Sequence, residues 1–147
     1  MSTVDPGESV ELWLRWKRAY ETVRAAVIAD MTAASGLSDA ELSVLVHLHE
    51  SGGVLRQNAI AAALGWDRTR LSHLLTRMEK RDFVARGKVA NGVEVTLRPA
   101  GRRTIDASVP TLAASTRRHL LDRLGPGDTK ALKTIVERLL SGEDGGR

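Results

Sequence analysis

The sequence has no cysteine, which excludes a disulfide framework, a thiolate zinc site, a thiol nucleophile and oxidant sensing through sulfur. It also has no apolar run approaching the roughly 18 residues that a bilayer-spanning helix needs. The opening MSTVDPGESVELWLRWKRAY lacks a basic segment followed by a continuous apolar core and a cleavage site, so secretion is not expected. Its glycines lack phosphate-loop spacing. Ser72 and His73 are neighbours on a helix and cannot by sequence alone serve as nucleophile and base. Repeats and long low-complexity segments are absent too. The expectation is a cytoplasmic protein that is not an enzyme and needs no cofactor.

What is present suits one folded domain over residues 1–147, with 42% hydrophobic and 27% charged residues. The net charge is only +4, but Asp67 to Lys88 holds seven Arg/Lys against three Asp/Glu, a surplus equal to that of the whole chain. Basic charge gathered on one segment is the footprint of a polyanion binder, although for the charge alone a solvated helix face is the plainer account.

Apolar spacing predicts a mostly helical chain. A first helix is expected from about Ser9 to Ala34, stopped by Gly36, with Trp13, Trp16, Tyr20, Val23 and Val27 spaced three and four apart. That stripe suits either burial against the chain's own core or a subunit interface. Ser38 and Glu41 form a capping box for a second helix from Asp39, which the Ser51-Gly52-Gly53 stretch ends. Leu55 to Leu64 reads as a short helix. LGWD then turns the chain, with Asp67 as N-cap of the next helix.

In that next helix Leu71, Leu74, Leu75 and Met78 define one narrow apolar face. Thr69, His73, Thr76, Arg77 and Lys80 fall opposite, flanked by Arg68 and Arg70. A helix docked by its leucines and displaying Arg, Thr and His outward has the chemistry of a major-groove reader, since Arg can bond guanine and Thr can meet a base edge or a thymine methyl. Thr69, Arg70 and His73 are the base-reading candidates; Arg77, Lys80 and Arg86 are the phosphate-holding ones. Asp82 ends the helix in a position suited to a left-handed residue. FVARGKV and VEVTL follow as a β-hairpin turning at Asn91-Gly92. A two-residue turn there pairs Arg86 and Lys88 with Leu97 and Val95; a longer loop with shifted register is the alternative. From Pro99 a helical stretch is expected to kink or divide at Pro110. Gly125-Pro126 restarts the chain with Pro near the first helical position, and Leu132, Ile135, Val136, Leu139 and Leu140 line the last helix. The final SGEDGGR is expected to fray.

In this order of elements, and most densely in IAAALGWDRTRLSHLLTRMEKRDFVAR and VTLRPAGR, the chain resembles the MarR family of winged helix-turn-helix transcription regulators from about Val10 to Leu140. The resemblance implies a DNA-binding region over about 38–98, with Asp67 to Arg81 as recognition helix and Val84 to Leu97 as wing. It implies dimerisation helices over about 9–35 and 99–141, with Trp13, Trp16, Leu132, Ile135 and Leu139 at the interface of a homodimer. It further implies a repressor on a pseudo-palindromic operator in double-stranded DNA, released by a small phenolic or anionic effector. Two departures stand out: the wing tip KVANGVEV is short and carries no Arg, leaving Lys88 and Arg86 for any minor-groove contact, and Asp82 replaces a customary Gly.

Other readings are weaker. His47 and His49, with Glu50 beside them, diverge on a helix, and these two with His73 and His119 are read as ordinary histidines, not metal ligands. Trp13, Trp16, Tyr20 and His47 could wall an effector pocket, with dimer core favoured for the tryptophans. The alternative function is a winged-helix protein-interaction module whose basic face meets an acidic protein.

Overall fold

The computed structural model describes residues 4–142; the last five residues of the SGEDGGR tail lie outside them. Six α-helices and a small sheet make up these residues: α1 (Pro6–Ser35), α2 (Asp39–Glu50), β1 (Val54–Arg56), α3 (Gln57–Leu64), α4 (Arg68–Lys80), β2 (Val84–Val89), β3 (Gly92–Leu97), α5 (Pro99–His119), a short 3-10 turn at Leu121–Arg123, and α6 (Asp128–Ser141). No described helix is long and apolar enough to cross a membrane.

The contacts gather into two compact units, Met1–Val27 with Ala113–Arg147, and Ile28–Leu112. The second unit holds the core. Leu45, Leu48, Ile60, Leu71, Leu75, Met78 and Val95 are fully buried there, and together they fasten α2, α3, α4 and β3. Local chemistry sets the ends of these elements. Ser38 Oγ accepts from the Glu41 N–H while Glu41 Oε1 accepts from the Ser38 N–H, so the capping box is formed as read. Gly65, at φ +64, closes α3, and the Trp66 N–H returns to the Ala61 carbonyl.

α4 closes in a similar way without glycine. Asp82 takes φ +59 and donates to the Glu79 carbonyl, and the Phe83 N–H reaches the Met78 carbonyl while both side chains are buried. Asp accepts this conformation at a modest cost.

Several expectations change. Val54, Leu55 and Arg56 do not start a helix; they pair antiparallel with Thr96, Val95 and Glu94, so the wing is part of a three-stranded sheet ordered β1-β3-β2. Within the hairpin, Arg86 lies opposite Val95 and Lys88 opposite Val93, two positions from the expected pairing. The turn residues are Ala90 and Asn91, and Gly92 absorbs the unusual backbone angle, φ +137, as the first residue of β3. α5 runs through Pro110 undivided over 21 residues, because one missing hydrogen bond is carried by the turns on either side. Pro126 stands outside α6, which begins at Asp128 behind an N-cap at Gly127.

The other unit has almost no interior. Among its described residues only Ser115 is buried, while Trp13 is 61% exposed, Ile135 51% and Leu139 62%. Leu132 is half-buried; Trp16, Tyr20 and Leu140 are exposed.

Candidate nucleic-acid interface

The candidate reading face is built from α4 outward. Asp67 Oδ1 accepts from the backbone N–H groups of Thr69 and Arg70 at 2.9 and 3.0 Å, which fixes the first turn and places a carboxylate at the positive end of the helix. Leu71, Leu74, Leu75 and Met78 are buried, which sets the rotation of the helix. As a result Arg68, Thr69, Arg70, His73, Thr76, Arg77 and Lys80 all face solvent. Ser72, His73, Thr76, Arg77 and Lys80 line a shallow groove along this side.

The cations differ in how free they are. The side chains of Arg68, Arg77, Lys80 and Lys88 make no hydrogen bond or ion pair among the described residues, so their charges are available to phosphates. Arg70 lies over the Trp66 ring, its guanidinium carbon 4.6 Å from the ring centroid. Arg81 is engaged elsewhere, with Glu41 at 3.0 Å and over the Phe83 ring at 4.5 Å.

Arg86 departs furthest from the sequence reading. Its guanidinium turns back onto α4, donating from Nε to Glu79 Oε1 at 2.8 Å, from one terminal nitrogen to Thr76 Oγ1 at 2.7 Å, and from the other to Ser72 Oγ at 3.2 Å. Sequence reasoning missed Ser72, Glu79 and Trp66 as partners of the reading cations. The spacing of Ser72, Thr76 and Glu79 was a signal, since these positions share one helix flank, but nothing in the sequence said which cation would meet it.

Histidines scatter. The His47 Nδ1 lies 2.9 Å from the Ser43 carbonyl, His49 and His73 are exposed, and among the described residues no three His, Cys, Asp or Glu gather at a cation's spacing. A separate cleft of about 260 Å³ lies between α1 and α5, lined by Met31, Ala34, Ser35, Thr104, Ala107, Ser108 and Thr111. These differ from the tryptophans, Tyr20 and His47 considered for such a pocket.

The family model for MarR matches residues 35–92, from the end of α1 to the start of β3. Over 96% of this chain and 99% of the other, the sequence is 30% identical to AbsC, a MarR family transcriptional regulator from Streptomyces coelicolor, with a TM-score of 0.67. Sco3205, a MarR family transcriptional regulator of the same organism solved in complex with DNA, is 24% identical with a TM-score of 0.69, covering 95% of this chain and 92% of that one. A MarR family protein from Bacillus stearothermophilus reaches a TM-score of 0.80 at 15% identity, over 97% and 99% of the two chains. The last two likenesses speak for the fold alone. No curated protein matches the sequence.

Proposed function

The chain belongs to the MarR family of transcriptional regulators, and from that membership together with its free cationic helix face we propose that it binds double-stranded DNA in a sequence-dependent way and represses transcription by occupying an operator. The observation that carries this is the division of α4 into a buried apolar side and an outer side where the Arg68, Arg77 and Lys80 side chains have no partner among the described residues. Thr69, Arg70 and His73 read base edges; Arg77, Lys80 and Lys88 hold phosphates. A homodimer fits the bare interior of the α1/α6 unit, because a second copy would give Trp13, Trp16, Leu132, Ile135 and Leu139 the core that one chain lacks. Two α4 helices would then sit roughly 34 to 36 Å apart, one turn of DNA.

The decisive experiment is a salt titration of binding to a duplex fragment that the purified protein selects from genomic DNA. Affinity is expected to fall on the order of a thousandfold between about 50 and 200 mM salt, as phosphate contacts release counterions. Salt-independent binding, or binding only to acidic proteins, would refute the reading.

The cleft between α1 and α5 is the proposed effector site, and its chemistry favours one of the two effector classes. Ser35, Thr104 and Ser108 donate their hydroxyl hydrogens to carbonyls of their own helices, so these three offer the cleft oxygen lone pairs, and Thr111 adds a hydroxyl that can donate or accept. No charged side chain lines the cleft. A neutral ligand that donates a hydrogen bond, such as a phenol, suits it better than an anion. Such a ligand would act by binding the DNA-incompetent arrangement more tightly.

A further inference from the structure

Beyond the shared apolar core, one residue makes the polar link between the hairpin and α4. Arg86 leaves β2 and spans two turns of α4, meeting Ser72, Thr76 and Glu79 in succession. Its Nε and one terminal nitrogen reach Glu79 Oε1 at 2.8 and 2.7 Å, and its backbone N–H reaches the other carboxylate oxygen at 3.3 Å. Its second terminal nitrogen is shared between the hydroxyl and the carbonyl of Ser72. The Arg86 side chain is only 20% exposed. All three guanidinium nitrogens are therefore committed to α4, two of them converging on one Glu79 oxygen and the third on Ser72, a spread of donors that a single ammonium could not reproduce.

We propose that Arg86 is a positioning residue: it locks the wing to the recognition helix at a fixed spacing, and it touches no phosphate itself. Glu79 cancels its charge, so the pair adds nothing to the attraction for DNA. Lys88, two residues further along the same face of β2 and with a side chain free of partners among the described residues, is the cation that this lock presents to the duplex alongside Arg77 and Lys80. The inference rests on the DNA-binding reading above and assigns Arg86 a different role within it.

The test uses the full-length protein and a fluorescein-labelled duplex that it has selected, with binding followed by anisotropy over a salt series. Arg86→Ala should weaken binding about tenfold, as expected for loss of charge-assisted hydrogen bonds, while leaving the slope of log affinity against log salt unchanged. A residue on a phosphate would instead flatten that slope by about 0.9. Glu79→Gln supplies the opposite-sign check and serves equally if Arg86→Ala fails to fold. Removing a negative charge beside DNA should by electrostatics alone tighten binding, whereas loosening the lock should weaken it. Arg86→Lys, which keeps the charge but not the spread of donors, should fail to restore wild-type affinity. A shallower slope for Arg86→Ala, or unchanged or tighter binding by Glu79→Gln, would overturn the proposal while leaving the DNA reading intact. A flat titration for the wild-type protein would instead remove both.

Discussion

Trp66 and Arg70 show how one residue's freedom is restricted before any ligand arrives. The Asp67 carboxylate pins the Arg70 backbone, and the Trp66 ring lies beneath its guanidinium, so a side chain that would otherwise sample many rotamers is held near one. Ordering it on a base then costs less entropy. Arg70→Ala should weaken operator binding by about 1 to 3 kcal/mol and relax the preference at one base pair per half-site. Trp66→Leu should relax the same base pair at a smaller cost, about 0.5 to 1 kcal/mol. Titrations against a set of singly substituted operators measure both, and relaxation at different positions would separate the two residues. Arg70 could be singled out from helical spacing alone. Its dependence on Trp66 could not, because four residues across a turn can point anywhere until the turn's backbone is known.

At the scale of elements, close approach matters more than pattern. Gly101, in the first turn of α5, sits where an added Cβ would lie 2.5 Å from the Phe83 carbonyl oxygen and 2.8 Å from a Leu97 methyl. Phe83 precedes β2 and Leu97 ends β3, so the root of the hairpin rests directly on the α5 backbone. Gly101→Ala must displace backbone, and is expected to destabilise the protein by about 2 kcal/mol or more in urea unfolding. The helices were legible because N-caps, leucine spacing and turn residues agree along this chain. β1 was not, since Val54-Leu55-Arg56 is too short to show a period and becomes a strand only because β3 offers it an edge. The hairpin could be read while its register could not. Asn91-Gly92 marks the bend, but placing Gly92 inside β3 shifts every pair by two while keeping each side chain on the same face.

For the whole molecule, the two units differ in how complete they are. The unit carrying α4 buries a full set of aliphatic side chains; the unit carrying α6 buries almost none, and leaves Trp13, Leu139 and Leu140 in solvent. The sequence disclosed this only as an apolar stripe with two possible uses, because burial within a chain and burial between chains follow the same spacing. If a second copy covers that face, Leu139→Asp should yield monomers in sedimentation. It should also weaken operator binding by roughly a hundredfold or more, because the advantage of two linked half-site contacts is lost. A monomeric wild-type protein, or a dimeric Leu139→Asp variant, would count against the arrangement.

The tryptophans fall on both sides of this division: Trp13 and Trp16 belong to the sparsely buried unit, and Trp66 stands beneath Arg70, the proposed base reader, in the other. With only three indoles in the chain, intrinsic emission carries two separate optical signals. If two copies pair through that face, dilution into monomers should shift the light of the first pair toward the red as they meet water. Arrival of a polyanion should alter the third as the guanidinium above it is drawn away, so assembly and operator capture can be followed in one cuvette without attaching a dye.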